Sequence, residues 1–128
     1  IYEDSPDIAW NLVSYTRLLG YEGKSLRFME DYKAANAAFE KYKQFRAIVF
    51  KKYPENVAWL RDASWESHGV GLSLLRSGAI REAQRYCRDE SKQLRAVIEA
   101  HQVTNTWMNN QLLHCQEVRH KGLNWHQN

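Results

Sequence analysis

Apolar residues recur every three or four positions along most of the chain, and polar or charged residues fill the positions between them. Leu12, Tyr15 and Leu19 form part of one such series, and Phe39 and Tyr42 belong to the next. Because residues three and four apart share one face of an α-helix, this spacing predicts amphipathic helices with one buried stripe each. No stretch alternates as a strand does, so the predicted class is all-α. The predicted helices cover residues 7–28, 31–52, 57–76, 79–102 and 106–120.

Short segments predict where these helices begin and end. Ser5-Pro6 is typical of a helix start, because Ser can cap the first turn and Pro fits the first helical position. Pro54 ends the second helix, since it lacks an N–H group and disfavours helix in the preceding residue. Ser77-Gly78 is a predicted turn, and a helix running unbroken through it would contradict the predicted hairpins.

The chain also repeats itself. Trp10, Trp59 and Trp107 follow one another at almost equal intervals. Further pairs recur at nearly the same interval, namely Gly23 and Gly71, Leu26 and Leu74, and Ala35 and Ala83. Such a period predicts stacked units within a single domain, because one helical hairpin cannot bury both of its faces. The predicted units are residues 7–54, residues 56–104, and a partial third unit or capping helix at 106–122.

Two kinds of residue take a structural role in this interpretation. Gly23 and Gly71 fall in mid-helix, where glycine costs about 1 kcal/mol relative to alanine, so we expect a helix to approach closely there. Ala35 and Ala83 are the expected small residues opposite them. The three Trp residues that begin the units are expected to be packing anchors.

These residues resemble the tetratricopeptide repeat, in a long variety found in bacterial multidomain proteins. The first unit carries the motif through Leu19, Gly23, Leu26, Asp31, Tyr32, Ala35, Phe39 and Pro54. The second carries it through Gly71, Leu74, Gly78, Ala83 and Cys87, with Cys87 in an aromatic position. The junction from Tyr53 to Asp62 is close to the Pro-x-Asn-x-x-Trp pattern of the long variety. The resemblance implies antiparallel helical hairpins stacked as a right-handed solenoid, within a longer protein.

Composition narrows the function classes. Apolar residues make up 44% of 128 residues, so disorder is not expected. The net charge of +3 is too small to predict nucleic-acid binding. No apolar run reaches transmembrane length, and no signal-peptide pattern is present. The first residue is Ile, which is expected for a domain of a longer or processed protein. The cytoplasm is the favoured compartment, and a periplasmic or other extracytoplasmic location is left open.

Candidate chemistry is sparse. His114, His120 and His126 are six residues apart, whereas helical metal ligands three or four apart would share a face. His68 and Cys87 could form a base and a nucleophile, but nothing in the sequence positions a third group or an oxyanion donor. We therefore expect no enzymatic activity, no metal and no cofactor.

Other charged and thiol residues are predicted to be structural or solvated. Cys87 and Cys115 are expected to be buried and inert, roughly 10 Å apart along the helix axis and too far apart for a disulfide. Two pairs of neighbouring carboxylates, Asp62 with Glu66 and Asp89 with Glu90, are expected to form surface ion pairs with basic residues near them. These basic residues are Arg61, Arg85, Arg88 and Lys92. A basic outer face is predicted from Lys41, Lys43, Arg46, Lys51 and Lys52.

The resemblance further implies a concave groove lined by the first helix of each unit. The predicted partner-binding residues are Arg17, Lys24, Arg27, Phe28, Trp65, His68, Leu72 and Arg76. The wider groove adds Gly20, Leu75, Gln116 and His120. The set holds four cations and no carboxylate, with aromatic residues suited to interface hot spots. It predicts an acidic or C-terminal carboxylate peptide with an apolar anchor as the ligand.

The predicted function is a protein–protein interaction scaffold. The alternatives are a structural segment that forms a homodimer through its open C-terminal end, and a sensing or accessory domain of a larger bacterial regulatory protein. Reversing the charges of Arg27 and Arg76 is predicted to abolish partner binding and leave helicity intact, because exposed charges contribute little to folding.

Overall fold

A computed structural model describes residues 6–102 and 106–124, with the side chains of residues 7–102, 106 and 108–120. These residues form helices and short turns, without a strand, which confirms the predicted all-α class. The helices are α1 (Pro6–Phe28), α2 (Tyr32–Lys52), α3 (Val57–Ala63), α4 (Ser67–Arg76), α5 (Ile80–His101) and α6 (Thr106–Asn124). The predicted break at Ser77-Gly78 is confirmed.

Local chemistry accounts for most helix boundaries. Asp31 Oδ1 accepts a hydrogen bond from the Ala34 N–H at 3.2 Å, and Asn56 Oδ1 accepts one from the Trp59 N–H at 3.1 Å. Each side chain thus satisfies a backbone donor that the first turn leaves free. Gly78 has a φ of 90°, a left-handed conformation that glycine adopts without strain, and it reverses the chain between α4 and α5.

The prediction of one continuous helix over residues 57–76 is wrong, because the structure divides this segment into α3 and α4. The Tyr42 side chain of α2, which is fully buried, enters the break. Its hydroxyl donates to the Ala63 carbonyl at 2.7 Å and accepts from the Glu66 N–H at 3.2 Å. The two backbone groups that a continuous helix would pair internally are therefore paired through a side chain of another helix.

The helices pack mainly on their neighbours in chain order. Among the described residues, α1 packs against α2, and both pack against α3 and α4. In turn α4 packs against α5 and α6, and α5 packs against α6. Two buried clusters run through these layers. One is centred on Phe39, Tyr42, Val70, Cys87 and Val118, and the other on Val13, Val49, Leu60, Leu94 and Met108.

Both mid-helix glycines lie at close approaches, but the residues opposite them are not the predicted alanines. A Cβ atom on Gly23 would lie 2.5 Å from a ring carbon of Phe39. A Cβ atom on Gly71 would lie 2.7 Å from Cys87 Sγ. Phe39 and Cys87 are separated along the chain by the same interval as the two glycines, so the close contact recurs at that interval.

Arg46 does not lie on a solvated outer face. It is buried, and its Nη2 donates to Glu90 Oε1 at 2.7 Å, its Nη1 to Gln93 Oε1 at 2.7 Å and its Nε to Ser64 Oγ at 3.1 Å. Glu90 is also buried, so the prediction of a surface ion pair is wrong for this residue. The reason is that α2 and α5 meet here. The Arg46 guanidinium and the Glu90 carboxylate lose their contacts with water, and the bond between them replaces those contacts. The remaining basic residues behave as predicted in part, since Lys41, Lys51 and Lys52 are exposed.

The two cysteines are buried free thiols, as predicted, but they are not far apart. The neighbouring Cys87 thiol and burial raise the pKa of Cys115. The predicted separation assumed that residues at equal distances from the α5–α6 connection lie side by side. For Cys87 to lie near Cys115, one helix must instead be shifted along the other. A raised pKa keeps Cys115 protonated and unreactive at neutral pH.

The tryptophans are packing anchors only in part. Trp59 is half-buried and meets the ring of Tyr53 edge-on, with centroids 5.0 Å apart. Trp10, its equivalent in the first unit, is 49% exposed, so the prediction is wrong for this residue. The side chain of Trp107 lies outside the described residues. Within the described part of the chain, no helix is both long enough and apolar enough to cross a membrane.

Candidate functional site

The eight predicted partner-binding residues lie on α1 and on the segment from Trp65 to Arg76 that packs beside it. Two contacts join these segments directly. Lys24 Nζ lies 3.8 Å from Glu66 Oε1, and the Arg17 guanidinium lies 5.6 Å from the centre of a Trp65 ring. We call the surface around these contacts the α1/α4 face.

Arg17 holds two aromatic rings at one end of the α1/α4 face. Its Nη2 donates to the Tyr21 hydroxyl at 2.8 Å, one helical turn away. Its guanidinium carbon lies 5.7 Å from the Tyr21 ring centre, a distance similar to that from Trp65. A guanidinium near aromatic rings is attracted by their electron-rich faces. The arrangement therefore fixes two aromatic rings and a cation before any partner arrives.

Phe28 stands at the other end of the same face and is strongly exposed. The Arg27 guanidinium lies 4.7 Å from its ring centre, and Lys24 Nζ lies 5.9 Å from it. Both cations therefore favour a fixed position for an exposed ring, which is the kind of anchor found at interface hot spots.

Glu66 contradicts the prediction that the groove holds no carboxylate, and also the prediction that Glu66 pairs with a basic neighbour on the surface. Only 3% of Glu66 is exposed, and its Oε2 has no hydrogen-bond partner among the described residues. Burial raises the pKa of Glu66, and the nearby charges of Lys24 and Arg27 oppose that shift. The carboxylate lowers the positive potential of the face from beneath, without being reachable itself.

Arg27 differs from its prediction in being buried, with 8% of the residue exposed. Burial lowers the pKa of Arg27, Glu66 raises it and the neighbouring Arg76 lowers it. Its guanidinium is largely covered, so Arg27 contributes to packing as well as to charge. The predicted Arg27→Glu and Arg76→Glu exchange is therefore a poor test of binding, because the first change would bury a carboxylate beside Glu66.

His68 lies where the α1/α4 face meets α6. The Oε1 atom of Gln111 accepts from the His68 backbone N–H at 3.1 Å and lies 3.0 Å from its Nδ1. An amide oxygen only accepts, so Nδ1 carries the ring proton. Burial lowers the pKa of His68, and its stacking neighbour His114 also lowers it, against the opposing effect of the Gln111 bond. His68 is therefore a neutral residue that joins α4 to α6.

Several other predicted groove residues are packed inside the protein. Leu75 is buried in the first core cluster, and Leu72 is half-buried against it. Gly20 is buried where a Cβ atom would lie 3.0 Å from Glu66 Cγ. In contrast, Gln116 and His120 are exposed on α6. The surface that a partner can reach is consequently narrower than the predicted groove, and it consists mainly of Arg17, Lys24, Phe28, Trp65 and Arg76.

The sequence did not place Tyr21, Glu66, Gln111 or His114 at this face. Tyr21 had a signal, since it follows Arg17 by four residues and so lies above it on the same helix face. Gln111 and His114 had none, because their position depends on where α6 packs.

The predicted absence of a metal concerned His114, His120 and His126. His126 lies outside the described residues. His114 stacks on His68, with ring centres 4.7 Å apart and ring planes inclined by 28°. Within the described part of the chain, no three His, Cys, Asp or Glu side chains converge in a way that could hold a metal ion.

The accessible α1/α4 face can thus offer charge-assisted hydrogen bonds from Lys24 and Arg76, and aromatic contact from Phe28 and Trp65. Both are means of recognition rather than of bond making. Comparison of the chain with models of protein families, with curated proteins and with solved structures gives no match.

Proposed function

We propose that the chain is a tetratricopeptide-like solenoid that serves as a protein–protein interaction scaffold and binds an acidic partner segment on the α1/α4 face. The observation that carries the functional part is the pre-arranged set of cations and aromatic rings there. Arg17 is fixed against Tyr21 and Trp65, and Lys24 lies beside the exposed ring of Phe28. Ordered side chains lose little entropy on binding, which favours recognition.

Two observations support the solenoid. The close contact of Gly23 with Phe39 recurs one repeat later as that of Gly71 with Cys87. The helices also pack on their neighbours in chain order, as expected when each unit covers the next. In such an array α1, α3 with α4, and α6 occupy equivalent positions.

The charges indicate what the partner carries. Lys24 and Arg76 are accessible, and Arg17 is half-buried, whereas the opposing carboxylate of Glu66 is buried beneath them. An acidic segment would gain from these cations, and an apolar residue within it would gain by covering Phe28. A binding role suits the residues better than catalysis does, because the Cys87 thiol is buried and the ring proton of His68 is held by Gln111.

A peptide titration tests the function. The probe is a fluorescent peptide of Asp and Glu around one Leu, and a peptide with Lys in place of the acids is the control ligand. Changing Lys24 and Arg76 together to Gln should weaken binding about tenfold, since exposed charge pairs contribute up to about 1 kcal/mol each. Fluorescence anisotropy measures the change.

The matched control variant changes Arg81 and Lys92 to Gln. Both residues are exposed on α5, so the net charge falls equally while the α1/α4 face is intact. This variant should bind the acidic peptide as the unmodified chain does. Equal weakening in both variants, or equal binding of the Lys peptide, would show that the α1/α4 face is not the binding site.

A further inference from the structure

The side of α1 that faces away from the protein carries large apolar residues at high exposure. Leu18 is 61% exposed, and Ile8, Tyr15, Tyr21 and Phe28 are exposed as well. On the opposite side of the same helix, Ala9, Val13, Thr16, Leu19, Gly20, Gly23 and Arg27 are buried. One helix thus has a buried side and a second, outward apolar side, and a concentration of exposed apolar residues marks an interaction surface.

The exposed residues of the outward side have similar chemical character on both sides of Leu18. Tyr15 and Tyr21 lie three residues to either side of Leu18, Asn11 and Ser25 lie seven to either side, and Ile8 and Phe28 lie ten to either side. All seven positions are exposed and lie along the outer half of the helix. Placed antiparallel across a two-fold axis at Leu18, two such helices would bring aromatic onto aromatic, polar onto polar and apolar onto aromatic.

The charges agree with this pairing. In the antiparallel arrangement the exposed carboxylate of Glu22 faces Ser14 of the second copy, because both lie four residues from the axis. No like charges meet directly, and the hydroxyl can donate to the carboxylate. The small residues Ser14 and Ser25 leave room between the larger side chains, as interlocking helices require.

Two of the aromatic rings are already held in position. Tyr15 meets the Phe45 ring of α2 edge-on, with centroids 5.0 Å apart. Tyr21 accepts the hydrogen bond from Arg17. Rings fixed in advance lose little conformational freedom when a second surface covers them, so their burial contributes to affinity more fully.

At two of these positions, the equivalent residue of the second unit lies against a helix. Tyr15 corresponds to Ser64, which is fully buried and accepts a bond from Arg46 of α2. Ser25 corresponds to Ser73, which is also buried and donates to Asn36 Oδ1 of α2 at 2.6 Å. Tyr15 and Ser25 of the outward side therefore have the same place in their unit as residues that a helix covers in the next unit.

We propose that a second copy of this chain docks on the outward side of α1, in an antiparallel α1–α1 contact with its two-fold axis at Leu18. The contact is isologous, since each copy contributes the same surface. A helix of 23 residues is about 34 Å long, which allows the contact to extend over six turns. This dimer differs from one formed through the C-terminal end of the molecule. Because it covers Phe28, it competes with an acidic segment for that ring of the α1/α4 face.

Sedimentation velocity over a dilution series tests the proposal on the full chain. The unmodified protein should change from one to two chains per particle as its concentration rises. Leu18→Glu places two carboxylates at the axis and should raise the dissociation constant about 30-fold or more, as expected for a central hot-spot residue. The matched control is Leu113→Glu, which alters an exposed leucine on α6 and should leave the dimer unchanged.

A cross-link locates the axis independently of that loss. With Leu18→Cys, mild oxidation should link residue 18 to its counterpart in the second copy, because only residues at a two-fold axis meet themselves. Cys87 and Cys115 are buried and should not compete. The proposal is overturned by a chain that stays monomeric at every concentration, by a dimer that Leu113→Glu disrupts instead, or by the absence of a cross-link in a folded Leu18→Cys protein.

Discussion

At the scale of single residues, two glycines allow helices to approach more closely than a larger residue would. Gly71 lies against Cys87, and Gly23 lies against Phe39, so that two helix pairs approach closely at these glycines. The sequence could predict that a close approach occurs, because glycine in mid-helix needs a compensating reason. It could not predict the opposing residue, since that depends on how far one helix is shifted along the other.

Adding a side chain at Gly71 should destabilise the protein. Even Gly71→Ala would place a Cβ atom 2.7 Å from Cys87 Sγ, and overpacking of this kind costs about 1–3 kcal/mol. Gly71→Leu should cost more, because it also meets Val118. Urea denaturation measures both losses.

A double variant provides the control. Gly71→Ala combined with Cys87→Ala removes the sulfur atom that the new Cβ would meet, so the double variant should lose less stability than the sum of the two single losses. Strict additivity would show that the two side chains do not compete for space.

The burial of four charged residues could not be predicted from the sequence either. Arg27, Arg46, Glu66 and Glu90 look like surface residues in the sequence, because charged side chains are seldom fully buried. All four are buried where one helix pair meets another. Their exposure is decided by the stacking of the pairs, which a local pattern of apolar and polar residues does not contain.

At the scale of elements, the helix ends were predictable and the interruption between α3 and α4 was missed. Pro54 and Gly78 act locally, so their effects follow from the sequence around them. A weaker signal for the interruption also exists, because the interval from Trp59 to Gly71 is one residue shorter than the equivalent interval from Trp10 to Gly23. In a continuous helix, removing one residue would turn Gly71 by about 100° relative to Trp59. A break between them allows both residues to point in the same directions as Gly23 and Trp10 do.

The Tyr42 hydroxyl should stabilise the interruption between α3 and α4, whereas the Tyr42 ring should stabilise the core around it. Tyr42→Phe keeps the ring and removes the bonds to Ala63 and Glu66, which leaves buried backbone groups unpaired at a cost of about 1–3 kcal/mol. Hydrogen exchange of the Glu66 amide should accelerate. Thermal denaturation and exchange followed by NMR measure the two effects.

Tyr86→Phe is the matched control for this change. The Tyr86 hydroxyl is buried without a hydrogen-bond partner among the described residues, so its removal should not lower stability. A similar loss in both variants would mean that the effect of Tyr42→Phe comes from the ring environment and not from the two hydrogen bonds.

At the scale of the whole molecule, the Arg46–Glu90 pair joins α2 to α5, with Ser64 between the two smaller helices taking part. Arg46→Met should leave Glu90 buried without its partner and cost about 3–5 kcal/mol. Changing Glu90 to Leu as well should recover most of that loss, because an apolar pair of similar size avoids the buried charge. Urea denaturation of the single and double variants decides this, and a double variant as unstable as Arg46→Met would contradict it.

The insertion of Tyr42 between α3 and α4 also has a consequence for the order of folding. The bent form of residues 57–76 has its central polar groups satisfied only when α2 is beside it. Residues synthesised later therefore acquire their final shape on a template formed by residues synthesised earlier. During synthesis α2 emerges before residues 57–76, so the Tyr42 hydroxyl is already present when those residues need a partner for their backbone groups.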